Sequence, residues 1–264
     1  MQVLGIKLDK SFFRRVWFFF LRKVRGMHAN TIFYWLVFAK SRPLISNQKS
    51  AIVFSPHQDD ETLGCGGMIA FKRLYGVPVR VVFLTDGQGG VGKSQLESEE
   101  LIQIRKQEAI RALNVLGVEP SAIDFLDRAD GTLQHLSKEE YQCLVDQVAQ
   151  ILISFKPDEV YVTYRKDGHG DHEATYNLVK DAIAQSKIEA DIIEYPIWLF
   201  WDIPLFFKFN ITNIGSSYRL SIHSVQNKKK EAFTAYHSQS YLDSGFLRHF
   251  LGTYEIFFKR DIES

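Results

Sequence analysis

A histidine and two carboxylates lie within four residues of one another in the segment SPHQDDE, residues 55–61. The histidine and one of the carboxylates can place a nitrogen and an oxygen on one metal ion, which leaves the second carboxylate free. Catalytic zinc sites use three protein ligands of this kind and keep a further position for water. The alternative is an acidic surface turn whose side chains cap a helix. A metal site is the favoured interpretation.

A second polar cluster, HGDH, occupies residues 169–172. Its two histidines, three residues apart, can supply one metal ligand and one acid/base group, and Asp171 can fix the tautomer of a ring. Alone, this segment could be only a polar loop with a helix cap. Two such clusters, each following a strand of the same predicted sheet, favour a shared site.

The elements that must position these clusters alternate regularly from about residue 50. Short apolar or β-branched runs predict strands, and apolar residues at three- and four-residue spacings predict helices. The predicted strands are 51–55, 77–85, 122–126, 159–164 and 191–200, and the predicted helices are 66–75, 97–117, 138–155 and 172–186. Strands and turns are expected over 201–220, a last helix over 224–238 and a closing strand over 253–258.

This alternation predicts an α/β fold, with a mostly parallel sheet covered by helices on both faces. In such sheets, ligands bind at the carboxyl ends of the strands. Both polar clusters follow predicted strands, so we expect them to meet at that edge.

Several motifs together resemble one family in their order and spacing. They are PHQDDETLGCGG at 56–67, LTDG at 84–87, Arg105 and Glu108 within 104–117, PDEVYVT at 157–163, HGDHEAT at 169–175 and KKKEAFTAYHSQ at 228–239. This pattern is similar to the LmbE-like, or PIG-L, family of zinc-dependent N-acetylglucosaminyl deacetylases. The resemblance covers roughly residues 50–240 and implies a Rossmann-like α/β sandwich.

The resemblance also implies a set of roles, carried over by position. The implied ligands of Zn²⁺ are His57, Asp60 and His172, and Fe²⁺ or another divalent ion also suits these donors. Asp59 matches the general base. His169 matches the group that stabilises the oxyanion or protonates the leaving amine, with Asp171 orienting it.

Arg105 matches a position that holds substrate, although an arginine on a strong helix can equally be a structural ion-pair partner. Glu108 is interpreted as structural, with Arg105 as its candidate partner. His237, within the late motif, is a lesser candidate for the pocket lining. The family usually has proline at positions 58 and 170, where this chain has Gln58 and Gly170, and Gly170 should loosen the loop that holds His169. Some relatives have a tyrosine where this chain has Asp167, so that role is not transferred.

The implied activity is removal of the N-acetyl group from a GlcNAc-type amino sugar, as a glycoside, a lipid-linked molecule or a polysaccharide precursor. Two alternatives stay open: a metal-dependent amidase or deacylase acting on a non-sugar substrate, and a non-catalytic sugar-binding relative. The loop GQGGVGKS at 87–94 also fits a phosphate-binding P-loop, with Lys93 and Ser94 in place. Because short Gly-rich loops match that pattern by chance, we interpret it as a flexible rim of the active site.

Composition limits the partners and the compartment. Lys and Arg number 32 against 31 Asp and Glu, so no overall field attracts nucleic acid. The two cysteines, Cys65 and Cys143, cannot form a disulfide framework, which predicts a cytoplasmic protein. Cys65 lies beside the first cluster, and we expect it to be a small packing residue.

The N-terminal region differs from the rest of the chain. Residues 1–50 contain ten basic residues and one acidic residue, beside aromatic runs at 12–21 and 32–39 that are too short to span a membrane. This pattern favours peripheral contact with the cytoplasmic membrane face through residues 1–45. The alternative is a helical arm that packs on the domain through its aromatic face. The predicted division is an arm over 1–48 and a deacetylase domain over 49–264.

Overall fold

The computed structural model describes residues 10–45, 48–90, 98–202, 216–239, 242 and 244–259. Eight strands form one sheet in the order β1-β7-β8-β6-β5-β2-β3-β4. The strands are β1 Arg42–Pro43, β2 Ala51–Ser55, β3 Val79–Thr85, β4 Ile123–Arg128, β5 Glu159–Thr163, β6 Asp191–Tyr195, β7 Ser216–Ser221 and β8 Tyr254–Lys259. Strand β8 is antiparallel to β6 and β7, and the other pairs are parallel. The predicted α/β fold with a mostly parallel sheet is confirmed.

Helices cover both faces of this sheet. They are α1 Lys10–Trp35, α2 Asp60–Leu74, α3 Ser98–Leu116, α4 Lys138–Phe155, α5 Gly170–Ser186, α6 Leu199–Asp202, α7 Gln226–Phe233 and α8 Ser244–Phe250. A capping box begins α4, because Ser137 Oγ accepts from the backbone N–H of Glu140 and the Glu140 carboxylate accepts from that of Ser137. The sequence prediction placed this helix at the same residues.

Two apolar cores lie on opposite sides of the central strands. Alternate side chains of a strand point to opposite faces, so Ala51 and Val53 of β2 enter one core while Ile52 and Phe54 enter the other. All five residues of β2 are buried. A strand covered on both faces is rigid, and the loop after it therefore starts from a fixed point.

Helix α2 begins at Asp60, six residues before the predicted start at Gly66. The glycines of this segment suggested a turn, but they lie within the helix and allow close packing. A Cβ atom on Gly64 would lie 2.2 Å from Cδ2 of Tyr195, and one on Gly67 would lie 2.4 Å from Cγ2 of Ile222. The first polar cluster therefore lies at the start of a helix rather than in a long loop.

A buried ion pair holds the middle of α2. Lys229 of α7 donates to the Leu63 carbonyl (2.7 Å) and contacts the Glu255 carboxylate of β8 (2.6 Å). Glu255 in turn accepts from the backbone N–H groups of Gly67 (2.6 Å) and Met68 (2.8 Å). Loss of one partner would leave an uncompensated buried charge, which costs about 3–5 kcal/mol. We call Lys229 and Glu255 the α2 clamp.

Three further segments differ from the sequence prediction. The strand predicted over 191–200 ends at Tyr195 and is followed by the short helix α6. The helix predicted over 224–238 is divided into α7 and a 3-10 turn at His237–Gln239. Of the segment 201–220, residues 203–215 lie outside the described residues, and β7 follows them.

The N-terminal arm is a long helix, α1, that continues into a π-helical turn at Leu36–Lys40. It packs on the domain through a buried cluster in which Ala29, Phe33, Leu36 and Val37 meet Tyr164, Phe200, Ile256 and Phe258. Among the described residues, no helix is both long enough and apolar enough to cross a membrane. The division at residue 48 stays a prediction.

Candidate metal centre and catalytic cleft

The two polar clusters meet at one edge of the sheet, as expected. His57 follows β2, and His172 lies in the first turn of α5, which follows β5. Strands β2 and β5 are direct parallel neighbours. Their carboxyl ends therefore bring together residues more than a hundred positions apart in the chain.

His57, Asp60 and His172 form a group that can hold a metal ion. Asp60 Oδ2 lies 3.1 Å from His57 Nδ1 and 3.2 Å from His172 Nε2. Ligand atoms around one tetrahedral zinc ion, with bonds of about 2.0–2.2 Å, are separated by roughly 3.3 Å. His172 Nε2 is buried, and its approach to Asp60 Oδ2 does not meet hydrogen-bond geometry, so this nitrogen has no hydrogen-bond partner in the described part of the chain. The donor set and this orphaned nitrogen fit a divalent metal ion.

A second group of donors, His57, His169 and Asp171, shares His57 with the first. The oxygens of Asp171 already accept from the backbone N–H groups of Gly131 (2.7 Å) and Leu133 (3.0 Å). These bonds tie both oxygens of Asp171 to the loop at 131–133, and we take the first group as the better candidate.

The surroundings of Asp171 differ from the prediction that it orients His169. Its side chain faces His57 Nε2 at 3.2 Å. His169 is half-buried, with its ring centroid 5.1 Å from that of His57 and 4.8 Å from that of His172. Within the described residues, His169 Nδ1 is buried without a hydrogen-bond partner. Asp171 thus positions His57 and the loop at 131–133, and His169 lines the cleft beside the candidate ligands.

Two carboxylates near the cluster were not predicted from the sequence. Asp167 accepts from His172 Nδ1 at 2.7 Å and from the backbone N–H groups of residues 197, 198 and 199, each at 3.0 Å. Asp130, in the loop after β4, lies 3.1 Å from His57 Nε2. Asp130 could have been predicted from the sequence. It follows the predicted strand 122–126, so it is expected at the same edge of the sheet.

Electrostatics at the cluster favour a cation. Burial disfavours the charged ring of His172, but Asp60 and Asp167 outweigh it and raise the pKa of His172 to about 9. Burial likewise opposes the charge on Asp60, yet His172 and His57 bring the pKa of that carboxyl well below its ordinary value. A divalent metal ion would compete for the same lone pairs as these protons.

Asp59 lies at the start of α2 in an unusual backbone conformation, with φ 135° and ψ −28°. Its carboxylate lines the cleft and lies 3.8 Å from a guanidinium nitrogen of Arg105. Burial, followed by repulsion from Asp60, raises the pKa of Asp59 to about 8. A carboxylate with an elevated pKa is a stronger base than an ordinary one, provided that it is deprotonated.

Arg105, on α3, is 2% exposed and also lines the cleft. Its guanidinium donates to the Gly87 carbonyl and, at 2.9 Å, to the Gln58 carbonyl. It therefore joins the LTDG turn to the loop that carries His57. This arrangement is compatible with both predicted roles of Arg105, the structural role and the holding of substrate. Its guanidinium binds backbone carbonyls and also lines the cleft.

The motif KKKEAFTAYHSQ at 228–239 contacts helices α2 and α3 next to the candidate site. The Tyr236 hydroxyl donates to Glu61 (2.5 Å), and Glu108 accepts from the backbone N–H (2.9 Å) and hydroxyl (2.5 Å) of Ser238. Glu108 is thus structural, with Ser238 as a partner. His237 is exposed, and its neighbour Gln239 lines the cleft instead. Cys65 is buried in the core, as predicted.

The cleft above these residues has a volume of about 160 Å³. Its floor is polar and ionic, and one side is apolar, formed by Leu63, Ile197, Trp198, Leu242 and Phe246. The Trp198 ring stacks near His169, with a centroid distance of 6.5 Å and an interplanar angle of 22°. A ligand here would meet charged groups at one end and aromatic surface along one side. Lys93 and Ser94 of the P-loop pattern lie outside the described residues.

Gly170, which was expected to loosen the loop, is the first residue of α5, and His169 before it is extended. Proline suits this first helical position, because the N–H there has no partner within the helix. Gly170→Pro combined with Gln134→Ala should raise the free energy of unfolding by about 0.4–1 kcal/mol, since proline restricts the unfolded chain. The second change is needed because a Cβ atom at 170 would lie 2.3 Å from Gln134 Oε1. Urea unfolding would measure the gain.

The matched control for that measurement is Gln134→Ala alone. A double variant less stable than this control would mean that the backbone at residue 170 does not accept proline.

A family model described as "PIG-L: GlcNAc-PI de-N-acetylase" matches residues 52–183, which is half of the chain. The chain belongs to the PIG-L family. The matched segment contains all the candidate metal ligands. A Bacillus subtilis relative named probable N-acetyl-alpha-D-glucosaminyl L-malate deacetylase 2 is 30% identical over 146 residues, covering 54% of this chain and 64% of its own length. The chain therefore spans less than two thirds of that relative.

Other similar proteins differ in their named activities. A 4-oxalmesaconate hydratase from Pseudomonas putida is 28% identical over 154 residues, covering 55% of this chain and 57% of its own length. The solved structure of N,N'-diacetylchitobiose deacetylase from Pyrococcus horikoshii superposes with a TM-score of 0.57 at 24% identity, covering 76% of this chain and 73% of that one. At this identity, the structural likeness shows the fold alone.

Proposed function

We infer that this chain is a metal-dependent hydrolase that removes the N-acetyl group from a GlcNAc-type amino sugar. One observation carries the inference: the Asp59 carboxylate lies in the cleft directly beside the His57, Asp60 and His172 cluster. A site that only held a metal would not need a further carboxylate that lines the cleft. The deacetylase name of the Bacillus subtilis relative supports the acetyl-sugar substrate.

Amide hydrolysis requires a deprotonated nucleophile, stabilisation of the oxyanion and a proton for the departing amine. When bound, Zn²⁺ or a similar divalent ion would polarise the amide carbonyl and make water more acidic. Asp59 takes a proton from the attacking water, and that proton becomes available to the leaving nitrogen. A ring N–H of His169 donates a hydrogen bond to the oxygen that gains negative charge. The products are the free amine and acetate.

His169 performs this role as a neutral ring. Burial, and then the neighbouring His172 and His57, lower the pKa of His169 below its ordinary value. A neutral imidazole still donates through one ring N–H. The proton delivered to the amine is therefore assigned to Asp59, and His169 stabilises the oxyanion.

The apolar residues that line the cleft are compatible with a second candidate function. Trp198, Leu242 and Phe246 can pack against a sugar ring, and they can also accept an acyl group or an aglycone without hydroxyl groups. A metal-dependent deacylase acting on a non-sugar amide would use the same floor. The substrate, rather than the mechanism, separates these two candidates.

The test combines metal analysis of the purified protein with acetate release from a panel of substrates. The panel contains N-acetylglucosaminides, simple N-acetyl amines without a sugar, and an oxalmesaconate-type hydratase substrate. We expect chelator-sensitive acetate release that is fastest from the N-acetylglucosaminides. His172→Ala should empty the metal site and abolish turnover together. Faster release from non-sugar amides would support the second candidate, and hydration without acetate release would overturn both.

A further inference from the structure

Helix α1 and the π-helical turn after it have a second set of apolar side chains that are largely exposed; of these, Phe38 also contacts the Tyr254 ring of β8. The docked face uses Ala29, Phe33 and the residues that follow them. On other sides of the helix, five large apolar side chains are 39–71% exposed: Trp17, Phe20, Met27, Tyr34 and Phe38. We call these five residues the exposed stripe.

The spacing of the exposed stripe places it along one side of the helix. The four members on α1 follow one another at intervals of three, seven and seven residues, which return to one side of an α-helix, and Phe38 comes four residues later in the π-helical turn. Within it, the rings of Trp17 and Phe20 stack at 6.0 Å, and those of Tyr34 and Phe38 stack at 6.1 Å with an angle of 10° between them. The stripe is about 30 Å long, at about 1.5 Å per residue. Monomeric soluble proteins rarely leave so extended an apolar strip in water.

The charge of the chain is divided between the arm and the domain. Residues 1–50 contain ten basic residues and one acidic residue, and the other residues contain 22 basic and 30 acidic ones. Lys23 and Arg25, both exposed, flank the stripe. An anionic surface would attract the arm and repel the domain, which fixes the orientation as well as the contact.

We propose that the exposed stripe of α1 lies in the interface of an anionic membrane, with the helix axis parallel to the surface. Trp, Tyr and Phe beside Lys and Arg are the side chains that settle at the boundary between headgroups and acyl chains. Pairing of the stripe with a second copy of this chain would bring two strongly basic helices together. The charge therefore favours the membrane.

The same helix contacts elements that form the cleft. Asn30 Nδ2 donates to the Gly245 carbonyl of α8 at 3.3 Å, and a Cβ atom on Gly26 would lie 3.3 Å from Gly245 Cα. Phe246, the next residue, lines the cleft. Membrane contact through α1 would thus hold the cleft near the lipid surface. An amino-sugar substrate carried on a lipid follows only if the proposed function is right, whereas the membrane contact does not depend on it.

Co-sedimentation of the full chain with lipid vesicles tests the proposal. The vesicles are phosphatidylcholine alone, and phosphatidylcholine with phosphatidylglycerol in a three-to-one ratio. We expect binding to the anionic vesicles that weakens as salt rises. The stripe variant Trp17→Ser/Phe20→Ser/Phe38→Ser should lose at least tenfold in its partition coefficient, because it removes three large apolar side chains from the interface. The charge variant Lys23→Glu/Arg25→Glu should lose roughly tenfold or more on anionic vesicles.

The matched control is Leu74→Ser/Tyr75→Ser, which removes two apolar side chains that are 54% and 66% exposed at the end of α2. This variant should bind vesicles like the unmodified chain. Equal vesicle binding by the stripe variant and the control, or no binding to anionic vesicles at all, would overturn the proposal. So would a dimer, measured by light scattering, that the stripe variant abolishes. Should the stripe variant fail to fold by circular dichroism, the charge variant decides alone.

Acetate release from a water-soluble N-acetylglucosaminide, measured on the same variants, separates the two proposals. Unchanged release with lost vesicle binding supports the membrane contact. Absence of release from every protein, with vesicle binding intact, contradicts the proposed function only.

Discussion

Replacement of Asp59 by glycine is expected to stabilise the protein and to abolish the proposed hydrolytic activity. The residue has φ 135°, a backbone conformation that glycine adopts without strain and that side chains with a Cβ rarely adopt. Such strain costs on the order of 1–3 kcal/mol in the folded state. Glycine lowers stability by about 0.5–1 kcal/mol, because it gives the unfolded chain more conformational entropy. The net expected gain in the free energy of unfolding is about 1 kcal/mol. The loss of activity follows because the proposed proton acceptor is gone.

The measurement is urea unfolding in the presence of a chelator, so that bound metal does not contribute to stability. Asp59→Asn is the companion variant, because asparagine retains a polar side chain and tolerates positive φ better than most residues. We expect Asp59→Asn to keep its metal and to lose about 10²–10⁴-fold in turnover. A glycine variant that is less stable than the unmodified chain would contradict the strain argument. Near-full deacetylation by the asparagine variant would remove the assignment of Asp59 as the base.

Asp167→Asn is expected to weaken metal binding by about 10–100-fold while leaving the fold intact. The Asp167 carboxylate accepts from His172 Nδ1 and from the backbone N–H groups of residues 197–199, so it holds His172 with the proton on Nδ1 and leaves Nε2 free for a metal. An asparagine side chain has one accepting oxygen and one donating NH₂ group, so it cannot accept from all the donors that Asp167 binds. Whichever way it turns, its NH₂ group faces either His172 Nδ1, which favours the wrong tautomer, or the backbone donors.

Competition with a chromophoric chelator would measure this affinity. Glu194→Gln is the matched control: Glu194 is also a buried carboxylate, but it accepts from the backbone N–H of Arg165 at 2.9 Å, away from the candidate ligands. The control should lose stability and keep its metal affinity. An affinity of Asp167→Asn within about threefold of the unmodified chain would show that the tautomer of His172 is fixed by other means.

Local pattern predicted the fold class and the meeting of the two polar clusters. β-branched runs and apolar stripes are short-range features of the sequence, and they identify the strands and helices. Because the carboxyl ends of parallel strands lie at one edge of the sheet, His57 and His172 are then expected to meet there. The predicted start of α2, at Gly66, was wrong, and the reason is physical. Gly64 and Gly67 are needed because Tyr195 and Ile222 approach the helix closely, and nothing near residue 64 in the sequence reports that approach.

The support for the site was harder to predict because it is non-local. Asp167 contacts a turn about thirty residues later, and the α2 clamp joins positions 63, 229 and 255. A carboxylate or lysine in isolation does not indicate its partner. The N-terminal arm illustrates the same limit: its composition allowed either docking or exposure, and the helix does both on different sides.

The α2 clamp has a consequence for biosynthesis and for dissection of the chain. All the candidate metal ligands lie within residues 52–183, yet the helix that begins with Asp60 is held by Lys229 and Glu255. A ribosome has to synthesise the chain as far as β8 before that helix gains both partners. A fragment that contains every candidate ligand but stops short of β8 is therefore a poor substitute for the full chain, and α2 should be among the last parts of the candidate site to become rigid.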